Sequence, residues 1–132
     1  MNKVTKPFIA GLLVLFVGTF AVTYFGLYES VPYMDKAMHL MGGFVVAWFF
    51  GKLWENQFKS FGNFQRLLLL LGMAMTIGYA WEIMEYAGSN LSIFEGHPIL
   101  NKYIYTGGFT DSLVDLFADG LGACIYALLI FS

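Results

Sequence analysis

The chain has 132 residues, of which 58% are hydrophobic and only 12% are charged, and its formal net charge is −2. Because soluble domains contain about 25% charged residues, this composition excludes an ordinary soluble enzyme, a disordered tail and a nucleic-acid-binding protein with a basic face. The single cysteine excludes an internal disulfide. We therefore expect a protein that is solvated by lipid and forms one domain over residues 1–132.

Four apolar stretches are long enough to cross a membrane, since a membrane helix needs about 20 mostly apolar residues. In chain order they are residues 8–28, 34–54, 64–86 and 109–131. The first stretch is too long for a signal peptide, and no small-residue cleavage site follows it. The sequence therefore predicts an all-α membrane protein, a bundle of four transmembrane helices.

The basic residues predict how this bundle is oriented, because Lys and Arg are enriched in cytoplasmic loops. Five basic residues lie on one side of the predicted bundle and two on the other: Lys3, Lys6, Lys52, Lys59 and Arg66 against Lys36 and Lys102. We expect an integral protein of the cytoplasmic (inner) membrane with both termini in the cytoplasm. The segments 29–33 and 87–108 should then face the extracytoplasmic side.

Ionisable residues within the predicted spans collect in the outer halves of the second, third and fourth spans. Such residues are costly in a membrane, so each is a candidate for function. The residues are Asp35, Lys36 and His39, then Glu82 and Glu85, then Asp111, Asp115 and Asp119. Spacings of three or four residues place the members of each group on one helix face.

Small residues continue these polar faces and permit close helix packing. Among them are Gly42, Gly43, Gly78 and Gly122. We therefore expect the three faces to meet. A rise of about 1.5 Å per residue predicts three levels: His39, Glu82 and Asp115 together, a mouth of Asp35, Glu85 and Asp111 above them, and Asp119 as the floor.

A pocket with this composition favours a divalent cation. Carboxylates so close together cannot all remain ionised unaided, and carboxylates with one imidazole suit Mg²⁺, Mn²⁺ or Ca²⁺, with Zn²⁺ a further option. The predicted metal ligands are His39, Glu82, Asp115 and Asp119. The predicted catalytic residues are Glu85 and His39, and the secondary candidates are Asp35, Lys36 and Asp111. The metal could activate water or polarise a phosphoryl oxygen, and a lipid phosphate or another envelope substrate is the nearest ligand.

Other interpretations of the same residues stay open. Lys36 could pair with Glu85 or Asp111 at the surface, and Asp35 and Asp111 lie near helix starts, where Asp is favoured as a cap. The pocket could also serve proton- or cation-coupled transport, or a non-catalytic lipid-binding or structural module. Expected partners are membrane lipids, a small polar ligand or a second copy of the chain, and no nucleic acid. Whether the protein is an enzyme stays open, since no recognised catalytic signature is present.

Three short motifs resemble the VanZ-like membrane proteins and their YjdF-like relatives. They are Asp35-Lys36-x-x-His39 followed by Gly42-Gly43-Phe44, Glu82 at the end of Gly78-Tyr79-Ala80-Trp81-Glu82, and Asp115-x-x-x-Asp119-x-x-Gly122. The resemblance implies a small integral membrane protein of bacterial type, associated in some members with glycopeptide resistance and the cell envelope.

This chain departs from the VanZ-like pattern at three points. The pattern has glutamine at the position of Glu85 and asparagine at that of Asp119. It also has an arginine shortly before the aspartate of the fourth span, where this chain reads Gly-Gly-Phe-Thr-Asp over residues 107–111. The site is therefore more acidic than the family pattern, which favours binding of a cation.

Overall fold

The computed structural model describes residues 2–90 and 108–131, and every regular element in those ranges is helical. The elements are α1 (Thr5–Leu12), a π-helical segment (Leu13–Gly18), α2 (Thr19–Tyr24), α3 (Leu27–Ser30), α4 (Met34–Leu53), a 3₁₀ helix (Gln57–Ser60), α5 (Asn63–Asn90) and α6 (Phe109–Phe131). The all-α prediction is confirmed for these residues. Of the predicted outer loop, residues 87–90 belong to the end of α5, and residues 91–107 lie outside the described residues.

Three of the described helices, not four, are long and apolar enough to cross a membrane: Thr5–Tyr24, Asn63–Ala87 and Phe109–Ile130. The prediction of four spans is corrected at residues 34–54. These residues do form a helix, α4, but its hydropathy is lowered by four polar residues, Asp35, Lys36, His39 and Lys52.

The first span also ends earlier than the predicted residue 28. Gly26 adopts a left-handed backbone conformation with φ of 64°, which an α-helix cannot continue through and which glycine adopts without steric cost. The chain therefore leaves the first span after Tyr24 and forms the short helix α3 before α4 begins.

The outward faces of the spanning helices carry large apolar side chains. Phe16, Phe64 and Phe117 are 68%, 70% and 79% exposed, respectively. A soluble monomer rarely exposes so much contiguous apolar surface, whereas lipid solvates it without cost. The distribution of apolar side chains therefore agrees with a protein embedded in a membrane.

Helix α4 is the central helix, since it packs against α1, α5 and α6. Its buried residues include Met38, His39, Gly43 and Ala47. Enclosure by three neighbours shields the polar residues of α4 from lipid, so this helix does not need the hydropathy of its neighbours. The apolar core lies further along the bundle and is formed by Ala47, Phe58, Leu70, Ala74, Ala123, Tyr126 and Ala127.

Two glycines bring the backbones of α4 and α6 into contact. A Cβ added to Gly43 would overlap the backbone of Asp119 in α6, and one added to Gly122 would lie 2.6 Å from the backbone nitrogen of Phe44 in α4. Small residues at helix crossings allow this approach in membrane proteins. The contact places the side chains of His39 and Asp119 beside each other.

We expect Gly43→Ala to destabilise the protein, because its new methyl group must push α4 and α6 apart. Overpacking of this kind costs about 1–3 kcal/mol. The matched control is Gly72→Ala in α5, where an added Cβ meets nothing within 4 Å. Thermal unfolding of the purified protein in detergent measures the effect. Equal melting temperatures for the two variants would contradict the close contact between α4 and α6.

Candidate functional site

His39 lies where α4, α5 and α6 meet, and it is only 7% exposed. Its Nδ1 atom is 3.2 Å from Oδ2 of Asp119 in α6. Its Nε2 atom is 3.4 Å from Oε1 of Glu82 in α5 and 4.0 Å from Oδ1 of Asp35, one turn earlier in α4. Both ring nitrogens therefore face carboxylates, and these carboxylates come from three helices.

Lys36 forms a second group of contacts beside the imidazole. Its Nζ atom lies 2.9 Å from Oδ2 of Asp35 and 2.8 Å from Oδ1 of Asp115, and it also pairs with Asp111. Of the two predicted partners of Lys36, Asp111 is therefore found. Lys36 makes no ion pair within 4.0 Å with Glu85. The ammonium group neutralises part of the charge of three carboxylates.

Asp35 and Asp111 lie within the first turns of α4 and α6, where a carboxylate favours the helix dipole, and the cap position of α4 is held by Tyr33 instead. However, no side chain caps the amino end of α4 by a hydrogen bond. The carboxylates of both residues instead contact Lys36. The contact of Asp111 with Lys36 joins α6 to α4, whereas the contact of Asp35 with Lys36 stays within α4.

The carboxylate of Asp119 occupies space that two glycines leave open. Asp119 is 4% exposed. A Cβ added to Gly78 in α5 would overlap its carboxylate, and one added to Gly42 in α4 would lie 3.7 Å from its Oδ1 atom. Gly78 is four residues before Glu82 on the same face of α5, so this face supplies both a carboxylate and the space for another.

Asp35, His39 and Asp115 form the most compact set of metal donors among the described residues. Each offers one ligand atom, and these atoms all lie within 4.8 Å of one another. Ions with ligand distances of about 2.1–2.5 Å can bridge donors that are about 4–5 Å apart. The set combines two carboxylates with one imidazole, as in many sites for Mn²⁺, Fe²⁺ and Zn²⁺.

Two buried acceptor atoms in this cluster lack a hydrogen bond within the described part of the chain. They are Oε1 of Glu82 and Oδ1 of Asp115. The second atom has the ammonium of Lys36 at 2.8 Å, which makes an ion pair without hydrogen-bond geometry. Buried acceptors normally find a donor or a cation. The Glu82 oxygen is therefore available to a cation that enters the cluster, and the Asp115 oxygen becomes available where that cation displaces Lys36.

The structure brings the four predicted ligands, His39, Glu82, Asp115 and Asp119, into one cluster. The compact donor set nevertheless contains Asp35, which the sequence placed at the mouth as a secondary candidate. The spacing of four residues between Asp35 and His39 in the sequence was the signal that places Asp35 beside the imidazole.

Glu85, the predicted base, lies apart from these contacts. It accepts a hydrogen bond of 2.9 Å from Nε1 of Trp81 on its own helix. It makes no ion pair within 4.0 Å with His39 or Lys36. The role of Trp81 was missed, although a spacing of four residues between Trp81 and Glu85 permits such a bond.

Comparison with known proteins gives a family and one distant relative. The family described as "Predicted membrane protein (DUF2238)" matches residues 3–132. An "Uncharacterized protein" of Thermotoga maritima is 26% identical over 109 residues, which are 82% of this chain and 53% of that protein. The chain thus spans about half the length of this relative. No solved structure matches the chain.

These comparisons do not confirm the VanZ-like and YjdF-like resemblance, which stays a prediction. The family match covers almost all of the chain, and its description agrees with the apolar helices and the lipid-facing surface described above. The chain belongs to the DUF2238 family of membrane proteins.

Proposed function

We propose that the cluster at the meeting point of α4, α5 and α6 binds a divalent metal ion. The observation that carries this proposal is the set of donor atoms from Asp35, His39 and Asp115, all within 4.8 Å of one another. Glu82 adds a carboxylate oxygen that accepts no hydrogen bond and lies 3.4 Å from Nε2 of the imidazole. The ion would be Mg²⁺, Mn²⁺, Ca²⁺ or Zn²⁺, since all four accept carboxylate oxygen.

The contacts of His39 suggest separate roles for the carboxylates around it. Metal-bound histidines usually donate their second ring N–H to a carboxylate, which fixes the orientation of the ring. Asp119, 3.2 Å from Nδ1, is positioned to accept that bond. Nε2 faces Asp35 and Glu82 and would hold the metal. In this proposal Asp119 positions the ligand His39 and is not itself a ligand.

The balance of charge in the cluster supports binding of a cation. Among the described residues, the carboxylates of five acids contact just two basic groups, Lys36 and His39: Asp35, Glu82, Asp111, Asp115 and Asp119. Burial makes the repulsion between uncompensated carboxylates costly. With His39 neutral as a ligand, a divalent ion would remove about half of the excess negative charge.

We expect purified wild-type protein to retain close to one divalent ion per chain after incubation with Mn²⁺ and desalting. Asp115→Asn and His39→Gln should each weaken metal affinity by about 10–100-fold, because each removes one proposed ligand. Elemental analysis and titration with Mn²⁺ measure the stoichiometry and the affinity.

The matched control is Glu55→Gln, which removes one carboxylate charge at the other end of α4. Glu55 is exposed and pairs with Lys3 at 3.0 Å. This variant should bind the metal like the wild type. If the wild type binds no metal, or if Glu55→Gln loses as much as Asp115→Asn, the proposal fails.

Lys36 distinguishes a metal site from a purely structural network of charges. In the absence of metal, Lys36→Gln should lower the melting temperature, because three carboxylates lose their shared cation. If the cluster is a metal site, the same variant should bind Mn²⁺ more tightly than the wild type, and the metal should restore its stability. A variant that is destabilised and does not respond to metal would support the structural module instead.

The apolar core favours a closed site over a transport path. A proton or cation relay needs polar groups that continue beyond Asp119. In the described part of the bundle, the next layer instead holds Ala47, Leu70, Ala74 and Ala123. Among the described residues, this apolar layer therefore separates the cluster from the opposite end of the bundle, where Lys52, Lys59 and Arg66 lie.

We further infer that the metal would act on a phosphate carried by a membrane lipid or another envelope substrate. The cluster lies near the ends of its three helices, and the positions of Lys and Arg favour the extracytoplasmic side of the cytoplasmic membrane for that end. A metal there could polarise a phosphoryl oxygen, with Glu85, one turn after Glu82 on α5, as the base. Release of phosphate-bearing headgroups from phospholipid vesicles, dependent on Mn²⁺ and lost in Asp115→Asn, is the expected result. If the protein binds the metal but releases no headgroups, it is a metal-binding protein without this hydrolytic activity.

A further inference from the structure

A cavity lies at the end of the bundle opposite the His39 cluster. Its volume is about 340 Å³, within the range of small-molecule sites. The lining includes Lys52, Glu55, Phe58, Lys59, Arg66 and Tyr126. His39 and Lys52 are 13 positions apart in α4, which places the two sites about 20 Å apart along the helix.

The cavity has an excess of positive charge. It is lined by three basic side chains, those of Lys52, Lys59 and Arg66, and by one acidic side chain, that of Glu55. The hydrogen bond from Lys3 lowers the pKa of Glu55, so this residue is a carboxylate at neutral pH. Its charge is balanced by Lys3 at 3.0 Å, and Lys52 lies 3.9 Å away.

Lys59 and Arg66 line the cavity without an acidic partner among the described residues. Within residues 2–90 and 108–131, neither forms an ion pair within 4.0 Å. Moreover, the Nε atom of Arg66 is buried and has no hydrogen-bond acceptor there. A buried guanidinium N–H without an acceptor is costly. An anionic ligand in the cavity would supply the missing acceptor.

Tyr126 closes the apolar side of the cavity and is 5% exposed. Gly51 leaves room for its ring, since a Cβ added there would lie 2.6 Å from the Tyr126 hydroxyl oxygen. The hydroxyl is thus held at the cavity wall by helix packing. It offers a neutral hydrogen-bond donor beside the basic residues.

We propose that this cavity binds a phosphate group, with the Arg66 guanidinium as its forked donor and Lys59 as the second positive charge. Arg and carboxylate- or phosphate-type oxygens form paired, charge-assisted hydrogen bonds. Basic pockets between membrane helices commonly bind anionic headgroups. The phosphate belongs either to an anionic phospholipid or to a free phosphate ion. This site is independent of the proposed metal centre, and either can fail without the other.

The test uses the full chain in detergent micelles with three probes: phosphatidylglycerol, phosphatidylcholine and inorganic phosphate. Native mass spectrometry counts the lipids retained, and calorimetry measures phosphate binding. The wild type should retain phosphatidylglycerol in preference to phosphatidylcholine. Arg66→Gln should weaken binding about tenfold, which corresponds to one lost charge-assisted bond. Lys59→Gln, at an exposed position that folding tolerates, should weaken it less, about threefold.

The control is Lys6→Gln, which removes the same charge from an exposed residue that does not line the cavity. Its effect should stay below about twofold. Loss of both phosphatidylglycerol and inorganic phosphate in Arg66→Gln would identify the phosphate itself as the recognised group, and loss of the lipid alone would identify the lipid as its source. If the wild type shows no preference for phosphatidylglycerol and binds no phosphate, or if Lys6→Gln loses as much as Arg66→Gln, the proposal is overturned.

Discussion

Contact between the backbones of α4 and α6 is the constraint on which the rest of the described structure depends. Gly43 lies against the backbone of Asp119, and Gly122 lies against that of α4. This contact fixes the carboxylate of Asp119 beside the imidazole of His39, while Gly78 in α5 leaves the space that the carboxylate fills. A larger residue at any of these glycines would therefore separate His39 from Asp119, although neither of these side chains had been changed.

Enclosure then allows a concentration of charge that lipid would not tolerate. Lys36 contacts three carboxylates, and His39 lies among the others. The cluster therefore already contains one internal cation, yet two buried carboxylate oxygens remain without a hydrogen bond in the described residues. An external divalent ion and the Lys36 ammonium would compete for the same oxygens. Metal affinity in this protein is thus expected to depend on Lys36 as much as on the ligands.

The sequence predicted the cluster because helical spacing is a strong constraint. Asp35 and His39 are four residues apart, as are Asp115 and Asp119, and each pair must share a helix face. What spacing could not predict was the choice among carboxylates, since partners from different helices depend on side-chain conformations. The prediction of residues 34–54 as a fourth span was wrong, because the polar residues of α4 lower its hydropathy and neighbouring helices, not lipid, surround it. The end of the first span depended on the left-handed conformation of Gly26, which no apolar pattern reports.

The two ends of the bundle are chemically opposite. One end holds carboxylates and an imidazole, and the other holds Lys52, Lys59 and Arg66 around a cavity, with an apolar core between them. The central claim is that the acidic end coordinates a metal through His39. Pulsed electron paramagnetic resonance of the Mn²⁺-loaded protein tests it directly, because it detects coupling of the metal to an imidazole nitrogen. The sequence has one other histidine, His97, whose substitution serves as the control. We predict this coupling in the wild type and in His97→Gln, and its loss in His39→Gln. Bound Mn²⁺ without nitrogen coupling, or coupling that survives in His39→Gln, would contradict it.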